Sequence, residues 1–149
     1  MRIVQRRRRG SRPSATVRIS LCMRIEPPRL RVLTVDDQPE VLAGVVAVLA
    51  LEFEVQAASD VDRAWRLLQQ QPFDVLCTDL AMGATDGLAL IRKVATLALP
   101  PACVLVTARH ELRLGPPDPR VRVTRLFKPY EPRVLLQMVR NAAASRSER

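Results

Sequence analysis

Five short runs of almost unbroken apolar residues most constrain this chain: LRVLTV (30–35), FEVQAA (53–58), FDVLCTD (73–79), ACVLVT (102–107) and VRVTRLF (121–127). Runs of about six residues this rich in Val and Leu are buried on both faces, as parallel strands covered by helices are. The segments between them are longer and carry a helical period: PEVLAGVVAVLALE (39–52), SDVDRAWRLLQQ (59–70) and DGLALIRKVATLA (86–98), with EPRVLLQMVRNAAA (131–144) closing the chain. Pro39 suits a first helical turn. Ser59, with Asp62 three residues on, reads as a capping box, and Val61, Trp65 and Leu68 share one side of that helix. Strands alternating with helices predict an α/β, doubly wound parallel sheet with right-handed crossovers. The alternation breaks once, at RHELRLGPPDPR (109–120), where three prolines and a glycine leave room for at most a turn of helix. A fourth helix is therefore expected to be short or missing.

Charge bears on partners. The 149 residues are 48% hydrophobic, 26% charged and 3% aromatic, a globular composition, but the net charge of +9 would ordinarily suggest nucleic acid. Its distribution argues otherwise. Residues 1–29 hold nine arginines and one acid, Glu26, for +8, whereas residues 30–149 hold 15 basic and 14 acidic side chains, for +1. The expected organisation is a basic, disordered extension over 1–29, one domain over 30–144 and a disordered tail over 145–149. Nucleic acid is then not an expected partner. Arginines interrupt every hydrophobic cluster of the extension, and no segment approaches the ~20 apolar residues of a membrane span, so a cytoplasmic protein is expected. Cys22, Cys77 and Cys103 have no paired spacing and read as reduced, small hydrophobes rather than disulfide or zinc ligands.

In open parallel sheets the ligand crevice lies outside the carboxyl ends of the strands, so the residues that finish each run are the candidates. They are Asp36 and Asp37 after the first, Asp79 after the third, Thr107 after the fourth and Lys128 after the fifth. Three carboxylates brought to one edge repel one another. A hard divalent cation among them relieves that repulsion, and an all-oxygen site open to water suits Mg²⁺.

Four stretches, VLTVDDQPEV, AASDVDRAWRLLQQQPFDVLCTDLAMGATDGLAL, VLVTA and LFKPY, together resemble the receiver domain of bacterial two-component response regulators over about residues 30–144. The resemblance implies a (βα)₅ fold, flavodoxin-like strand order 2-1-3-4-5, and phosphotransfer from a sensor histidine kinase or phosphotransfer protein to one aspartate. It implies that Asp79 is the phosphoacceptor and that Asp36, Asp37, Asp79 and the backbone carbonyl of Ala81 hold Mg²⁺. It also implies that Thr107 and Lys128 bind the phosphoryl group, often with a cis peptide at the Lys-Pro junction. Such a protein takes part in its own phosphorylation and is not a turnover enzyme on a separate substrate. The alternative is a pseudo-receiver that binds partners without phosphorylation. A carboxylate is already ionised at neutral pH and needs no general base, so the single histidine, His110, is expected to be simply solvated.

The chain departs from the family in two places. Met82-Gly83 stands where most receivers have Met-Pro, and Arg125 occupies the switch position where the family usually has Tyr or Phe. The usual output route is thereby in doubt, and signalling through the loop at 109–120 is expected instead. On the first helix Ala43, Gly44, Ala47 and Ala50 gather on one uncharged side. In receivers this helix docks on the kinase's helical bundle, which implies Ala43, Ala47 and Ala50 as the docking face. Only SRSER follows the last helix, so a stand-alone receiver acting through a downstream protein partner is expected.

Overall fold

The structure is a computed structural model that describes residues 26–83, 85–111, 113 and 118–147. The arginine run at 6–9 and Cys22 lie outside these residues. Strands β1 (Arg31–Val35), β2 (Glu54–Ala58), β3 (Val75–Asp79), β4 (Ala102–Thr107) and β5 (Val123–Phe127) form one parallel sheet in the order β2-β1-β3-β4-β5. Helices α1 (Pro39–Leu49), α2 (Val61–Gln70), α3 (Gly87–Val94) and α4 (Pro132–Ser147) cover it. The expected order is therefore the one observed. No helix lies between β4 and β5 among the described residues.

Side chains alternate across each strand, and here both faces are apolar, so the sheet carries two cores. Leu33, Leu76 and Leu105 pack with Ala64, Leu68, Leu90 and Val94 on the α2 and α3 side. Val32, Val75 and Val104 pack with Leu49, Leu135 and Val139 on the α1 and α4 side. The register sets Asp79 opposite Val106 and Thr107 opposite Phe127, bringing the ends of β3, β4 and β5 to a common edge.

Several boundaries differ from the sequence reading. Asp60, not Ser59, caps α2: its Oδ1 accepts the Arg63 N–H at 2.7 Å, and that bond holds the Asp60 carboxyl below its ordinary value. Ser59 only adds its hydroxyl to the same carboxylate, at 3.3 Å. Asp86 caps α3 in the same way, through the Ala89 N–H at 2.7 Å. Helix α4 continues to Ser147, past the expected end at 144, and its last turn is held by Arg146, 2.9 Å from Asp74 just before β3. A two-stranded antiparallel ribbon, Ala81–Met82 with Thr85–Asp86, was not expected. Cys77 and Cys103 are buried free thiols. Among the described residues no helix is long and apolar enough to cross a membrane.

Candidate functional site

The carboxyl edge gathers the expected acids. Asp36, just past β1, is 6% exposed, and its Oδ1 accepts the Gln38 N–H at 2.9 Å. Asp37 is exposed and Asp79, the last residue of β3, is half-buried. One carboxylate oxygen from each lies within 4.8 Å of the others. Burial raises the Asp36 carboxyl above its ordinary value and the charges of Asp79 and Asp37 add to this, while the Gln38 N–H and Lys128 oppose it.

Lys128 reaches across from the end of β5, its Nζ 2.9 Å from Asp79 Oδ1. The Lys128–Pro129 peptide is cis, as the resemblance implies. The Lys128 N–H also donates to the Thr107 carbonyl at 2.9 Å, tying β5 to β4 at the site. Thr107 is 2% exposed, and its Oγ1 accepts the Arg109 N–H at 2.9 Å.

Two glycines shape the surroundings. A Cβ at Gly87 would stand 2.3 Å from the Asp79 carbonyl oxygen, far inside contact distance, so only glycine lets α3 start against the Asp79 backbone. Gly83 has φ +59°, which favours glycine, and a Cβ there would lie 3.8 Å from Asp37 Oδ2. The ribbon turn thus passes beside the exposed acid.

The donor set fits a hard divalent cation. Three carboxylates supply only oxygen, Lys128 offsets one of their charges, and Asp37 leaves the cluster open to water, as Mg²⁺ requires. Ala81 sits exposed on the ribbon that follows Asp79. Arg125 is exposed on β5 with its guanidinium carbon 5.8 Å from the Phe127 ring centre. Ala43 and Ala47 are exposed on α1, and Ala50, its C-cap, is exposed as well.

Three residues near the site were given no role there from the sequence. Tyr130 lines a small recess with Asp36, Cys77, Asp79 and Lys128, and burial pushes its phenol up to about 12. Its place just past Lys-Pro was the only available signal. Gly87 was legible only as part of a motif. His110, expected to be simply solvated, stacks on Phe127 with ring centres 4.5 Å apart and planes at 12°. No sequence pattern links these two residues.

An acid cluster and a lysine thus meet at the carboxyl edge of a doubly wound sheet, where such folds bind their ligands. Residues 32–140 match the family described as the response regulator receiver domain, and the chain belongs to that family. It is 31% identical over 131 residues to the regulatory protein VirG of Agrobacterium fabrum, a match covering 78% of this chain and 49% of VirG. The signal receiver domain of an HD domain-containing protein from Pseudomonas fluorescens superposes with TM-score 0.70 at 20% identity, covering 82% of this chain and 92% of that one. The chemotaxis response regulator CheY4 of Vibrio cholerae gives 0.64 at 22%, covering 76% and 98%. These two structures speak to the fold. The chain spans about half the length of VirG and of two other curated relatives it matches, and 9% of the gliding motility regulatory protein of Myxococcus xanthus.

Proposed function

We propose that Asp79 accepts a phosphoryl group from a phosphohistidine on a sensor histidine kinase or phosphotransfer protein, in phosphorelay signal transduction. The observation that carries this reading is the Lys128 ammonium, 2.9 Å from Asp79 Oδ1, beside a cluster of three carboxylates. An ionised Asp79 oxygen attacks phosphorus, and the phosphorus–nitrogen bond breaks with its electron pair leaving on the imidazole. Lys128 offsets charge on the equatorial oxygens, and the Thr107 hydroxyl donates to one of them. Asp36, Asp37, Asp79 and the Ala81 carbonyl would hold Mg²⁺, which when bound supplies further neutralisation of the transferring group. Residues 30–144 are the unit that does this, and Ala43, Ala47 and Ala50 form the face that meets the kinase.

Incubation with a small phosphodonor and Mg²⁺, read by intact mass, tests the proposal. Wild type is expected to gain one phosphoryl group and Asp79→Asn none. Equal labelling of the variant would remove Asp79 from the role. A wild-type protein that no donor labels would instead support phosphorylation-independent partner binding.

A further inference from the structure

We propose that His110 is a positioning residue for the phosphoryl site, latching the segment that leaves β4 onto the strand that carries Lys128. This rests on the phosphoacceptor reading above and adds to it a residue for which neither the family motifs nor the acid cluster has a use.

The geometry closes a ring of contacts around Thr107. Its hydroxyl oxygen accepts the Arg109 N–H at 2.9 Å, and Arg109 is followed by His110. The His110 ring lies parallel to Phe127 at 4.5 Å. Phe127 is followed by Lys128, whose N–H returns to the Thr107 carbonyl at 2.9 Å. Arg125, two residues back along β5, sits over the same aromatic ring at 5.8 Å.

The ring matters for the hydroxyl. Because one lone pair of Thr107 Oγ1 accepts from Arg109, a fixed Arg109 amide narrows the directions in which the hydroxyl can donate. In a regular doubly wound fold a helix after β4 would hold this segment. Here none follows among the described residues, and residues 108–111 are exposed. A stacked aromatic pair contributes beyond simple area burial, and a guanidinium over the same ring adds to it. The stack therefore holds the described part of this segment onto β5 beside Thr107. Arg125, at the position where the family usually has an inward-turning aromatic, lies instead over the Phe127 ring.

The test compares wild type, His110→Ala and His110→Phe by two readouts. The first is the affinity of each for beryllofluoride with Mg²⁺. The alanine variant is expected to bind roughly two- to tenfold more weakly, the range a stacked pair supports, and the phenylalanine variant to return to near wild type because it keeps the stack. The second readout is hydrogen exchange of the Arg109 amide with no phosphoryl analogue present. It is expected to be slow in wild type and His110→Phe and faster in His110→Ala. His110 is exposed, so His110→Ala is expected to stay folded and to melt only a few degrees lower, as the loss of one stacked pair requires, with His110→Phe near wild type. Unchanged affinity and exchange in His110→Ala would overturn the latch, as would a His110→Phe protein as weak as the alanine variant. Failure of wild type to bind beryllofluoride would sink the phosphoacceptor reading, while Arg109 exchange still decides whether the latch exists.

Discussion

Asp36 and Asp37 are adjacent, yet the fold treats them oppositely. Asp36 is buried and its oxygen is committed to the Gln38 amide, whereas Asp37 faces water beside the Gly83 turn. Replacing Asp36 would also orphan a backbone donor, so Asp37 is the cleaner probe of the cluster. Two unit charges about 4 Å apart in a water-like setting repel by about 1 kcal/mol. Asp37→Ala is therefore expected to stabilise the metal-free protein by about that amount and to abolish the extra stability that Mg²⁺ confers on wild type by mass action. Thermal denaturation with and without Mg²⁺ reads both effects. An equal Mg²⁺-induced rise in the variant would place the cation elsewhere.

At the level of elements, α1 presents two unlike sides. Leu49 is buried in the core, whereas Ala43, Gly44, Ala47 and Ala50 are exposed, and the space around a Cβ at Gly44 is open to at least 4 Å. Small uncharged side chains let another helix approach closely, and a charge placed among them must be desolvated on contact. Ala47→Glu is expected to slow phosphotransfer from the cognate kinase by roughly tenfold, about 1.4 kcal/mol, and to leave labelling by a small phosphodonor unchanged. Slowing with both donors would indicate a folding defect. No slowing with either would move the docking face off α1.

Across the whole molecule, Asp74 joins the edge of the sheet opposite the acids to the last helix. Its Oδ2 accepts the Arg31 N–H at 2.8 Å and its Oδ1 meets Arg146 at 2.9 Å, while its carbonyl accepts the Ala102 N–H at 3.0 Å. The backbone of β1 and a side chain of α4 thus converge on one carboxylate just before β3. Hydrogen bonds to a charged group contribute about 1.5–3 kcal/mol when shielded, and Asp74 and Arg146 are partly open to solvent, which lowers that. Asp74→Ala is expected to lose about 1–2 kcal/mol in urea unfolding and to keep its phosphodonor labelling, because the site lies at the other edge. Loss of labelling at full stability would contradict this separation of roles.

The strands and the acids at their ends were legible because each rests on a local property, whereas the strand order followed from the family resemblance. An unbroken apolar run requires burial on both faces, and a carboxylate that ends such a run must find water, a cation or a partner wherever the run is placed. The features that escaped depend on distant parts of the chain. Ser59 and Asp60 are comparable capping residues by type, and only the path of the backbone out of β2 decides that Asp60 reaches Arg63. The extension of α4 to Ser147 accompanies the ion pair with Asp74, which is 72 residues away from Arg146 in sequence. Gly87 reads as an ordinary helix start until α3 is set against Asp79. His110 reads as a solvated loop residue until parallel pairing of β4 and β5 puts Phe127 beneath it. Sequence alone determined which charged side chains gather and which edge they share. Only tertiary packing decided how they are held, because close approach, stacking and ion pairing across the sheet depend on distances that local pattern does not encode.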